Sequence, residues 1–137
     1  MRGINLKQMK LLHLSVGALI VVVFLFTGQF MSFHNPQMTE LGDGTRMMFR
    51  SRHIYILLAG LLNLGIGIYF SYRREKWRKV LQTAGSSLIV FAPFVLIIAF
   101  FYEPTLKGLQ GILTLPAIVA LLAGTFCHLF SGVWSKQ

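Results

Sequence analysis

Four histidines, His13, His34, His53 and His128, are the residues of this 137-residue chain best suited to chemistry. Imidazole binds metals readily and is the usual axial ligand of haem iron. No Cys-x-x-Cys-His run occurs, so covalent c-type haem attachment is excluded, and the single Cys127 leaves no intrachain disulfide. Cys127 reads as a small packing residue. Glycines accompany two of the histidines. Gly17 lies one turn inward of His13, and Gly124 one turn inward of His128, each on its histidine's face. Two such notches at similar depth would leave room for a macrocycle beside its ligands. Arg46 and Arg50 flank His53 at helical spacing and could hold carboxylates such as haem propionates.

The elements that must position these residues are four uncharged hydrophobic stretches. No Asp, Glu, Lys or Arg occurs from Leu11 to Thr39, His53 to Tyr72, Val80 to Tyr102, or Gly108 to Ser135. A bilayer core of roughly 30 Å needs about 20 apolar residues of helix. The composition, 55% hydrophobic and 12% charged, agrees. The expected fold is all-α: an integral membrane four-helix bundle, up-down-up-down, in one domain over residues 1–137. The expected spans are about 11–33, 45–72, 80–102 and 108–134. Short connections predict that the first and fourth helices are neighbours. Asn35-Pro36 should end the first helix, and Glu103-Pro104 the third. Pro93 should kink the third.

The net charge of +9 would point to nucleic acid in a soluble chain. Here the charge sits at span ends. Arg2, Lys7, Lys10, Arg73, Arg74, Lys76, Arg78, Lys79 and Lys136 fall on one face. Only Arg46, Arg50, Arg52 and Lys107 fall on the other, with Glu40, Asp43 and Glu103. The positive-inside rule then places both termini in the cytoplasm of a bacterial-type inner membrane, with the bilayer rather than nucleic acid as partner. The first apolar run is too long for a signal peptide and lacks an Ala-x-Ala site, so it is expected to be retained. Tyr72, Trp77 and Trp134 read as interface anchors.

Depth sorts the histidines into a cytoplasmic pair, His13 with His128, and an outer pair, His34 with His53. The arrangement resembles small membrane cytochromes b at the level of architecture. The leading expectation is accordingly a haem b protein passing electrons between a quinone and a redox partner. His13 and His128 would be the first ligand pair, and His34 and His53 the second. A competing expectation is a non-catalytic membrane subunit or assembly factor, in a homo- or hetero-oligomer. Two outer-face alternatives follow. Met31, His34, Met38, Met47, Met48 and His53 supply soft or borderline ligands suited to copper. Arg46, Arg50, Arg52 and His53 could bind an anion, a quinone or a lipid headgroup. Catalytic motifs are lacking. The spans carry no charged residue in mid-membrane, which argues against a transporter or pump. Asn63 reads as an amide joining neighbouring helices.

Overall fold

The computed structural model describes residues 5–34, 40–106 and 111–133. Four long helices run in chain order: α1 over Leu6–Phe33, α2 over Asp43–Tyr69, α3 over Lys76–Tyr102 and α4 over Thr114–Val133. All four are long and apolar enough to cross a membrane. Large side chains such as Leu25, Phe26, Phe91 and Leu115 stay exposed along the helices, as lipid-facing residues do. Among the described residues there is no strand. The chain is an integral membrane four-helix bundle.

Local chemistry explains where the helices differ from the expected spans. α1 begins at Leu6 because Asn5 and Gln8 form a reciprocal capping box. α3 starts at Lys76, so the basic loop contributes Lys76, Arg78 and Lys79 to its first turn. α4 starts at Thr114, which puts Pro116 in the first turn, where its missing N–H costs nothing. Glu103-Pro104 ends α3 as expected, in a single 3-10 turn over Glu103–Thr105. Pro93 is buried inside α3. Asn35-Pro36, Lys107 and Trp134 lie outside the described residues.

The packing is two tight pairs joined in the middle. α1 packs along α2, α4 along α3, and α2 meets α3 between them. Glycines make both tight seams. An added Cβ at Gly17 would lie 2.8 Å from the Leu64 backbone nitrogen, and one at Gly67 2.9 Å from that of Leu14. Across α3 and α4, a Cβ at Gly85 would lie 2.8 Å from the Gly124 carbonyl oxygen. Small residues permit this approach where lipid supplies no hydrophobic drive to association. The expected neighbourhood of the first and fourth helices is corrected: α1 and α4 share no extended backbone contact. The core between the pairs holds Ile20, Ile56, Ile89, Leu96, Phe100 and Leu121.

Candidate functional site

The joint between the two pairs, toward the end where α1 begins and α4 finishes, carries a polar constellation. Asn63, on the buried face of α2, donates through Nδ2 to the Ala59 carbonyl in its own helix and to the Ile89 carbonyl of α3, both at 2.9 Å. Its Oδ1 meets His13 Nδ1 at 2.9 Å. Because both amide hydrogens are committed to carbonyls, the Asn63 oxygen must accept, and His13 Nδ1 must carry the proton. In the neutral ring this leaves Nε2 bare. That atom is buried and has no hydrogen-bond partner among the described residues. Asn63 thus joins α1, α2 and α3 as expected, and it also sets the tautomer of His13.

His128 of α4 lies next to His13, with ring centroids 6.5 Å apart and the planes nearly perpendicular. Its Nε2 is 3.1 Å from Ser86 Oγ on α3. Phe70, which caps α2, packs on both rings at 6.2 Å and 5.7 Å and itself lines a cavity of about 240 Å³. Arg73, Gln82, His128 and Ser131 line the same cavity. Gln82 shapes its rim. It donates to the Ser71 carbonyl at 2.9 Å and accepts from the Arg73 backbone N–H at 3.1 Å. His13 does not line the cavity, so Phe70 screens it. Phe70→Ala should open that screen. His13 should resist diethyl pyrocarbonate in the native protein, being wholly buried, and react in the variant; an unreactive His13 in the variant would show that something else shields it.

The other histidine pair is not assembled. His34, exposed at the end of α1, turns back on the Phe30 carbonyl at 2.9 Å. His53 packs inward instead. Its Nδ1 is 2.8 Å from Thr27 Oγ1, and its ring stacks on Phe24 at 4.1 Å. Thr27 lies nearly two helical turns below His34. Arg46 pairs with Asp43, and Arg50 is exposed, so neither reaches His53. The proposed thioether set is also dispersed. Met48 is buried while its neighbour Met47 is 72% exposed, and Met38 lies outside the described residues. Among the described residues no three of His, Cys, Asp and Glu gather as a metal site.

At this opposite end the buried polar group is one that sequence reasoning missed. Arg52 Nε meets Glu103 Oε2 at 2.6 Å, with both side chains almost wholly buried. Glu103 Oε1 accepts from the backbone N–H groups of Leu113 and Thr114, and Oε2 from Thr114 Oγ1. One carboxylate thereby pairs a cation on α2 and caps the start of α4.

The haem notches expected at Gly17 and Gly124 are occupied by protein. Leu64 fills the first; Ile89 and the backbone of Gly85 fill the second. The structure is therefore a membrane bundle with protein-filled seams where haem was expected and a small polar-lined cavity at one end. Residues 14–136 match the family model described as KdgT, 2-keto-3-deoxygluconate permease, and the chain belongs to that family. Comparison with curated proteins and with solved structures gives no match. The family overturns the expectation of haem-based electron transfer with a quinone or redox partner. It equally overturns the argument against a transporter. That argument required a fixed charge in mid-membrane, whereas here buried Asn63, Ser86 and His13 form a polar centre beside half-buried His128, with Arg73 at the rim.

Proposed function

We propose that this protein moves a small hydroxylated organic acid, of the kind 2-keto-3-deoxygluconate represents, across a bacterial inner membrane. The observation that carries the reading is the convergence of Arg73, Gln82, His128 and Ser131 on one cavity in a chain of that family. A sugar acid offers one carboxylate and several hydroxyls. The Arg73 guanidinium suits the carboxylate, as a charge-assisted pair. The His128 ring suits a hydroxyl, while the Ser131 hydroxyl is turned back onto the His128 carbonyl and shapes the wall. The cavity, about 240 Å³, lies just below the usual range of ligand pockets, roughly 300–1,000 Å³, in keeping with a small metabolite. By the distribution of basic residues it opens toward the cytoplasm. Beneath it, His13 and Asn63 form the polar floor that a solute would meet next if Phe70 moved aside.

The test is uptake of labelled 2-keto-3-deoxygluconate by vesicles reconstituted with the purified protein. Saturable uptake above that of empty vesicles is expected. Arg73→Gln should lower it at least about tenfold, since a charge-assisted hydrogen bond contributes roughly 1.5–3 kcal/mol. Uptake no greater than in empty vesicles, together with no thermal stabilisation of the protein by the acid, would refute the proposal.

A further inference from the structure

A second cavity system lies on another side of α3 and has a different chemistry. An open groove of about 600 Å³ is bounded by Lys76, Lys79, Val80, Thr83, Ala84 and Ser87. A second hollow of about 380 Å³ shares Thr83 and Ser87 with it and continues inward between α1 and α3, past Leu12, Val16, Val90, Phe91 and Phe94. The shared residues put the two side by side along a single stripe of α3, where together they would form a channel. We propose that this channel is a binding site for one anionic phospholipid, with the phosphate at Lys76 and Lys79 and an acyl chain lying between α1 and α3.

Three observations favour that occupant over a polar solute. First, the wall is apolar despite its hydroxyls. Thr83 Oγ1 donates to the Lys79 carbonyl and Ser87 Oγ to the Thr83 carbonyl, so both hydroxyls are turned back into the helix. What they present to the groove is carbon. Second, the length fits. From Lys79 to Phe91 is 12 residues, or about 18 Å at roughly 1.5 Å per residue, close to one leaflet of a hydrocarbon core of about 30 Å. Third, the charge is complementary and correctly placed. Both lysines are exposed at the membrane-surface end of the stripe, and the chain carries a net charge of +9. Lys79 Nζ lies 5.0 Å from the Tyr72 ring centroid, which holds this ammonium at the groove mouth. A cationic head end above an apolar inter-helix channel is complementary to a phospholipid, and each lysine adds attraction for an anionic headgroup.

This site goes beyond the transport reading and does not depend on it. The test is native mass spectrometry of the full chain, delipidated in mild detergent and then offered phosphatidylglycerol and phosphatidylcholine of identical chains. One phosphatidylglycerol should be retained at least about tenfold more strongly than phosphatidylcholine. Lys76→Gln with Lys79→Gln should abolish the preference. Ala84→Phe, which blocks the channel and keeps both lysines, should reduce retention of both lipids. Lys7→Gln with Lys10→Gln should change neither. Equal retention of the two lipids would overturn the site. So would a preference that falls as much with the Lys7/Lys10 variant as with the Lys76/Lys79 variant, because attraction would then be diffuse. A dimer that excludes lipid from the groove would overturn it too.

Discussion

Glu103→Ala should destabilise the folded protein by about 3–5 kcal/mol, the range measured when one partner of a buried ion pair is removed. The physical reason is the number of groups that depend on this carboxylate. Arg52 would be left as a buried cation without its counter-charge at 2.6 Å. The Leu113 and Thr114 N–H groups, which open α4, would lose their acceptor. Helix starts carry N–H groups with no partner inside the helix, and in hydrocarbon no water replaces the lost bond. Arg52→Ala should also be costly, though less so, because Glu103 keeps its three donors from Leu113 and Thr114. Replacing both by leucine should cost less than the sum of the single changes, since no unpaired charge remains. Thermal unfolding in detergent, followed by circular dichroism, measures all three. Strict additivity would mean that the two side chains do not act as a pair.

A second large effect is expected at the α3–α4 seam. A Cβ on Gly124 would lie 2.7 Å from the Gly85 carbonyl oxygen, and one on Gly85 2.8 Å from that of Gly124. Neither obstacle is a flexible side-chain tip; both are backbone. Gly124→Val should therefore force the helices apart and cost about 1–3 kcal/mol or more, as overpacking does. Gly85→Ala should be destabilising for the same reason. The double change should cost less than the sum, because the first substitution already opens the seam. Gly65→Ala is the control. Nothing lies within 4 Å of its added Cβ, so the change should be neutral or stabilise by up to about 1 kcal/mol through helix propensity. The seam also bears on the site. Ser86 follows Gly85, and His128 lies one turn beyond Gly124, so a widened seam should pull Ser86 Oγ away from His128 Nε2. A Gly124→Val protein as stable as the native one would show that the contact is looser than described.

The parts legible in the sequence are those that a solvent imposes over many residues. The four charge-free stretches announce four spans because hydrocarbon tolerates nothing else there. The depth of His13 and His128 was legible, since depth is set by distance from a charged end; their pairing also rested on neighbouring first and fourth helices, and the two rings meet although those helices share no extended backbone contact. What those residues were for was harder to read. A glycine beside a histidine is equally consistent with space for a ligand and with close approach of a helix, and at Gly17 and Gly124 it is the helix that comes. The Arg52–Glu103 pair was missed because no periodicity relates residues on different helices. The available signal was that Glu103 ends its span near the level at which Arg52 begins another, with a threonine shortly after. The start of α4 was expected near residue 108 and lies at Thr114, where a carboxylate from another helix receives its first N–H groups, which no local pattern announces.

The shared carboxylate has a consequence for how the molecule is made. Arg52 precedes Glu103 by 51 residues, so it leaves the ribosome and reaches the membrane well before its counter-charge exists. Until α3 has been made, Arg52 lacks this carboxylate and the start of α4 lacks its acceptor. The pairing therefore imposes an order on biogenesis. α3 delivers the anion to an α2 that is already made, and the same group then receives the start of α4, the last helix to be made.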